Sequence, residues 1–290
     1  MASFEDGYWW SNDGLRLHYR DYPGPESRPP ILCIPGLTRN ARDFEGIAER
    51  LAGQYRVICV DLRGRGDSAY AKDPMTYVPL TYAQDIERLI DELRIARLIA
   101  FGTSLGGIVS MLLASTGPQR FAGVLLNDVG PVIERKGLDR IRGYVGRAGA
   151  WPTWVHAARA LAETNEDVYP GYELQDWLRM AKRLYRLNAQ GRIVPDYDSK
   201  IAEPFRLPGG ETGVDLWPAL DAMHAVPVQI IRGELSDVLG TETVAQMKKR
   251  LDDARVTTVP GVGHTPTLEE PQAARAIDKF LAAISSEVAA

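Results

Sequence analysis

A serine between glycines, Gly102-Thr103-Ser104-Leu105-Gly106, interrupts an uncharged run that extends from Leu98 to Gln119. A serine hydroxyl is a weak nucleophile and attacks a carbonyl only when a base takes its proton. The chain has four histidines. His18 falls in an N-terminal strand pattern, His156 among helical patterns and His224 ahead of a strand, whereas His264 stands in "VPGVGHTPTLEEP", a loop after the last strand pattern. Sites in open α/β sheets collect beyond the carboxyl ends of strands, which makes His264 the candidate base. A carboxylate must then hold the imidazole in one tautomer. Asp237 in "RGELSDVL" follows the penultimate strand pattern and lies between Ser104 and His264 in the order Ser…Asp…His. Glu234 is a second choice, and Asp128 in "LLNDVGP", which also ends a strand pattern, is an alternative acid. The oxyanion would need backbone donors. The N–H of Leu105 follows the serine, and that of Leu37 lies in "CIPGLTRNARDF", the loop after the first buried strand.

The surrounding elements are suited to carry these residues. "ARLIAF" is short and strand-like, and "LGGIVSMLLASTG" has helical length and stops at Gly117-Pro118. Strand, tight turn and helix is therefore a better reading of the uncharged run than a membrane span. Upstream, "LRLHYRDY", "PPILCIPG" and "YRVICVDL" read as strands, and "ARDFEGIAERLAG" and "TYAQDIERLIDEL" as amphipathic helices. The second of these places Ile86, Leu89, Ile90 and Leu93 on one face. "FAGVLLND" is a further strand, and alternation resumes with "VPVQIIRGE", "TETVAQMKKRLDD", "ARVTTVPG" and a last helix from Leu268 to about Ile284. In "TLEE", Thr267 and Glu270 form a capping box. Such alternation implies a mostly parallel sheet with helices on both faces. From about Pro131 to Leu220 no strand is evident; the segment carries helical patterns and four of the six tryptophans, and reads as a helical insertion.

At 290 residues and a net charge of −4, the chain can bury a sizeable core and lacks the basic excess that nucleic acid or an anionic membrane attracts. Cys33 and Cys59, its two cysteines, sit in apolar strand patterns and read as buried free thiols rather than a disulfide framework. No cysteine or histidine spacing suggests a metal site. "MASFEDGYWW" has neither a basic nor an apolar leader region, so the expectation is a cytoplasmic protein acting on a small molecule, without nucleic-acid or membrane partners.

The blocks "PGLTRNARDF", "DLRGRGDS", "GTSLGG", and "RGELSDVL" with "GVGHTPTLEEP" together resemble the α/β-hydrolase superfamily over nearly the whole chain. The resemblance implies an eight-stranded sheet, a core of 1–130 and 221–290, a helical cap at 131–220, and hydrolysis without a cofactor. Pro35 stands where many members carry histidine before the oxyanion-loop glycine. Ser104 argues against the members that use an aspartate nucleophile, the haloalkane dehalogenases and many epoxide hydrolases. The "GRGDSA" stretch at Gly64–Ala69 mimics a dinucleotide fingerprint, but no helix pattern opens there, and it reads as a turn packed on the site loops.

The expected activity is hydrolysis of a small carboxylic ester or lactone through an acyl-enzyme. Cleavage of carbon–carbon bonds in ring-cleavage products and cofactor-free haloperoxidase or perhydrolase chemistry use the same triad. A receptor built on the hydrolase frame, which binds without turnover, is the reading from another class.

Overall fold

The computed structural model describes residues 3–147, 149–206 and 215–288. Its strands are β1 (Glu5–Trp10), β2 (Arg16–Tyr22), β3 (Ile31–Ile34), β4 (Val57–Asp61), β5 (Leu98–Thr103), β6 (Phe121–Asn127), a hairpin of β7 (Tyr185–Leu187) and β8 (Ile193–Pro195), then β9 (Val228–Gly233) and β10 (Ala254–Val259). Eight of them form one sheet in the order β1-β2-β4-β3-β5-β6-β9-β10. From β4 to β10 in that order neighbouring strands are parallel, and near one edge β2 runs antiparallel to both β1 and β4. The residues of β3, β4, β5 and β6 are buried at every position. Strands covered by helices on both faces need this continuous apolar character.

Helices α1 (Glu45–Leu51), α2 (Pro79–Glu92), α3 (Leu105–Thr116), α4 (Arg135–Tyr144), α5 (Trp154–Asn165), α6 (Leu174–Leu184), α7 (Glu203–Arg206), α8 (Trp217–Asp221), α9 (Thr241–Arg250) and α10 (Pro271–Val288) complete the chain. One face of the sheet buries Ile86 and Leu89 of α2, Val109 of α3, Leu220 of α8 and Met247 of α9. The other buries Ile47 of α1 with Ile277 and Phe280 of α10. Cys33 and Cys59 are register partners across β3 and β4, and both are buried free thiols. Among the described residues no helix is long and apolar enough to cross a membrane.

The structure departs from the sequence reading in three places. β1 joins the sheet as an edge strand although its hydrophobic residues, Tyr8, Trp9 and Trp10, are contiguous rather than alternating. The segment between β6 and β9 is not purely helical. α6 ends at Leu184, and β7 and β8 pair through a turn in which Asn188 Oδ1 accepts the N–H groups of Gln190 and Arg192. Gly191 in that turn adopts φ 71°, a conformation most side chains resist. Third, α10 begins at Pro271 rather than Leu268, because Leu268 has φ 69° and breaks the helical path. Glu270 still reaches back to the Thr267 N–H, at 2.7 Å. Of the expected 131–220 insertion, residues 148 and 207–214 lie outside the described residues.

Candidate active site

Ser104 occupies the turn between β5 and α3 with φ 52° and ψ −117°, a sparsely populated conformation for a residue with a Cβ. The flanking glycines are there for space. A Cβ on Gly106 would lie 1.9 Å from the Ile34 carbonyl oxygen, and one on Gly102 would lie 2.5 Å from that of Gly106. The turn projects the serine at the start of α3, where Ser104 Oγ meets His264 Nε2 at 2.9 Å.

His264 Nδ1 lies 2.8 Å from Asp128 Oδ2. With the proton on Nδ1, Nε2 is left to accept from the serine hydroxyl. Asp128 sits just past the end of β6 with φ 57° and is 0% exposed. Its Oδ1 accepts the Gly233 N–H at 2.8 Å, and Oδ2 also accepts the Ser236 hydroxyl at 2.6 Å. The carboxylate is therefore oriented on every side before it meets the imidazole.

The expected acid is thereby corrected. The structure places Asp128 on His264, and Asp237 elsewhere. Asp237 receives Arg140 Nε and Nη2 from α4 at 2.6 and 2.8 Å. Burial works against its charge, but the Arg140 hydrogen bonds outweigh it and hold the carboxyl below its ordinary range. Glu234, the second choice, accepts the Gly261 N–H at 2.8 Å. Both acids follow a strand at the same end of the sheet. The end of β6 faces His264, whereas the loop after β9 turns its aspartate toward α4. The "LLND" run at the end of a wholly buried strand was the available signal for Asp128.

Leu37 and Leu105 flank Ser104 along one small cavity of about 60 Å³, whose wall also includes Val78, Ile108, Leu138 and Ile141. Among the described residues neither the Leu37 nor the Leu105 N–H donates a hydrogen bond. The loop that follows Pro35 is held by a residue the sequence reading passed over. Arg65, 0% exposed, donates from Nε to the Leu37 carbonyl at 2.9 Å. It also reaches the Arg63 carbonyl and the Tyr82 hydroxyl. The "GRGDSA" stretch is thus a turn against the site loops, and Gly66 is required because a Cβ would lie 2.3 Å from the Asp61 carboxylate.

The other side of the His264 loop is tied by Asn127 Nδ2, which donates to the Pro266 carbonyl at 2.8 Å, and by the Tyr169 hydroxyl, which donates to that of Thr265 at 2.6 Å. Beyond Arg39 a second cavity of about 310 Å³ opens between this loop region and the insertion. Trp151 and Tyr185, stacked on each other, are both in its wall. Trp177 instead packs with Tyr169 and Tyr172, and Trp217 lies beneath Arg250.

The remaining histidines stand apart from Ser104. His156 meets Thr153 Oγ1 and His224 the Asp221 carbonyl. His18 bridges Asp61 at 2.7 Å and Asp6 at 2.9 Å. Asp61, in turn, accepts the N–H groups of Ala41 and Asp67, so its carboxylate knots the "DLRGRGDS" turn to the far end of the oxyanion-side loop. One carboxylate oxygen each of Asp61 and Asp67 and a ring nitrogen of His18 lie within 4.8 Å of one another, and those of His18 and Asp61 are already hydrogen-bonded within the protein.

A hydroxyl, an imidazole and an oriented carboxylate in a line, at the edge of an apolar cavity flanked by two N–H groups, have the arrangement needed for acyl transfer. Residues 31–277 match the Alpha/beta hydrolase family. The 3-hydroxybutyrate-oligomer hydrolase of Cupriavidus necator is 34% identical over 266 residues, 88% of this chain and 89% of that protein. The 2-(acetamidomethylene)succinate hydrolase of Mesorhizobium japonicum is 29% identical, with 88% of each chain covered. The crystal structure of an alpha/beta hydrolase from Novosphingobium aromaticivorans superposes with a TM-score of 0.94 at 55% identity, over 97% of this chain and 99% of that one. The chain belongs to the α/β-hydrolase family.

Proposed function

We propose that this α/β-hydrolase cleaves small carboxylic esters through an acyl-enzyme. Ser104 attacks the carbonyl while His264 takes its proton, and Asp128 holds the imidazole and offsets its charge once protonated. The N–H groups of Leu37 and Leu105 receive the oxyanion. His264 returns the proton to the departing alcohol, then activates a water that releases the acid. The observation that carries this reading is the unbroken chain Ser104 Oγ–His264 Nε2, His264 Nδ1–Asp128 Oδ2, at 2.9 and 2.8 Å. The 60 Å³ apolar cavity beside Ser104 is suited to a short acyl chain. The insertion at 131–220 acts as the cap, since α4, the β7–β8 hairpin and Tyr197 supply the far wall of the second cavity.

Ester cleavage is favoured over the other reactions of this triad by the relative at 34% identity, a hydrolase of hydroxybutyrate oligomers. The experiment is labelling with a fluorophosphonate, mapped by mass spectrometry, beside hydrolysis of p-nitrophenyl esters of increasing acyl length. Labelling of Ser104 and turnover that falls beyond the short acyl chains is the expected result. Absence of both would exclude ester hydrolysis and direct attention to carbon–carbon cleavage, perhydrolysis or ligand binding without turnover.

A further inference from the structure

The two sides of the scissile bond would meet opposite surroundings. Successive residues of one loop line two cavities, Leu37 the one and Thr38 and Arg39 the other. The one that contains Ser104 has no charged residue among its described lining residues. The other, about 310 Å³, is lined by Thr38 and Arg39, which follow Leu37, and by Tyr144, Arg147, Tyr185 and Tyr197 of the insertion. Arg39 belongs to the immediate surroundings of the nucleophile: a Cβ on Gly36 would lie 3.4 Å from Arg39 Cγ and 3.7 Å from Ser104 Cβ.

We propose that this second cavity is a carboxylate subsite, which holds the free acid end of the leaving alcohol, so that the preferred substrates are anionic esters of short hydroxy acids cut beside their carboxyl terminus. The proposal rests on the ester-hydrolase reading above and specifies its substrate. Arg39 donates one Nη1–H to Asp43 Oδ1 at 2.9 Å, which fixes the side chain along the wall. A guanidinium has five N–H groups in a planar fork, so donors remain for a carboxylate. Arg147, on the opposite wall, has no ion pair among the described residues. Asp43 offsets the charge of Arg39, and the acid in the wall itself, Glu163 of α5, is exposed, as Arg147 is, so water screens both. Burial pushes Tyr185 up to about 12 and raises Tyr197 as well, so these phenols stay protonated and can donate. The wall therefore offers the remaining N–H donors of the Asp43-paired Arg39, the Arg147 cation and several hydroxyl donors, a set that suits an anion and leaves a neutral alkyl alcohol without partners for them.

The chemistry needs nothing further. Ser104 Oγ bonds to the acyl carbon as the ester C–O bond breaks. The hydroxyl of the departing hydroxy acid takes its proton from His264 while its carboxylate stays on the arginines. Water then frees the second acid.

The test compares the linear dimer of 3-hydroxybutyrate with its carboxamide, which keeps the shape and removes the charge. The wild-type enzyme should favour the acid by about tenfold or more in kcat/KM, carried by KM, as one charge-assisted hydrogen bond provides. That preference should shrink at high salt and approach unity in Arg147→Gln and in Arg39→Gln. Arg147 is exposed, so its variant reports even if the Arg39 variant fails to fold. Equal turnover of acid and amide by an enzyme that hydrolyses p-nitrophenyl butyrate, or a preference untouched by Arg147→Gln, would overturn the subsite and leave the hydrolase reading intact. No labelling of Ser104 and no turnover of any ester would overturn both.

Discussion

Asparagine at position 128 separates the two candidate acids. Asp128 is enclosed, with Oδ1 on the Gly233 N–H and Oδ2 shared by His264 Nδ1 and the Ser236 hydroxyl. In Asp128→Asn the amide oxygen can keep Gly233, and the NH2 group takes the place of Oδ2. It then donates toward Nδ1, so the imidazole carries its proton on Nε2 and presents a hydrogen, rather than a lone pair, to Ser104 Oγ. Such a tautomer reversal at the corresponding position of a serine protease costs about 10⁴-fold in kcat, or roughly 5.5 kcal/mol at 1.36 kcal/mol per tenfold. A loss of that order is expected here, with a folded protein. Asp237→Asn leaves the triad intact and weakens one partly exposed ion pair to Arg140. Its expected cost is under about tenfold in kcat and about 1 kcal/mol in stability. The assay is kcat/KM for p-nitrophenyl butyrate, with active sites counted by fluorophosphonate labelling and melting temperatures measured alongside. The reasoning is refuted if Asp237→Asn loses more activity than Asp128→Asn, or if Asp128→Asn keeps a tenth or more of wild-type turnover.

Arg65→Met should lower kcat by about a hundredfold with little change in KM, because it frees the carbonyl of the residue whose N–H would hold the oxyanion; steady-state kinetics beside a melting curve check it. Ser104→Gly should be inactive yet more stable than Ser104→Ala by about 1 kcal/mol, since glycine adopts the φ of 52° without strain; urea titrations of the two variants read this directly. At His18, burial opposes protonation, but hydrogen bonds and charge from Asp61, with Asp6, outweigh it and raise the imidazole above its ordinary value. The resulting stabilisation is fully present below about pH 6.5 and is lost as pH rises through the raised folded value. The stability gap between wild type and His18→Gln should therefore narrow on the alkaline side, and a flat gap between about pH 5.5 and 9 would be contrary to the assignment.

The core strands were legible because each is buried throughout and apolar up to its last residue: "ILCI", "VICVD" and "FAGVLLN" carry a polar side chain only at the end, where Asp61 and Asn127 meet the site loops. β1 was not, because an edge strand needs only one partner and its sequence carries no period. The β7–β8 hairpin was hidden for a related reason. Its three-residue strands are too short to alternate, and the helical pattern of α6 continues into them. The turn chemistry of Asn188 and Gly191 was the signal that could have revealed it.

Ser104 and His264 could be found from chain order and local spacing, because each stands among glycines in a loop that follows a strand. The acid could not, since Asp128 and Asp237 both follow a strand and both fall between Ser104 and His264. What distinguishes them is lateral. β6 lies between β5, which carries the serine, and β9, so the end of β6 points into the space that His264 crosses. Asp237 has instead a cation of its own on α4, inside the insertion. That cation is remote in sequence, as are Arg65 beneath Leu37 and Arg147 across from Arg39. Strand neighbours and long-range arginine partners are products of the completed sheet, and local sequence windows carry no trace of them. The serine and its base are thus written locally, while the residue that orients the base and the cations that would select an acid substrate are set by topology.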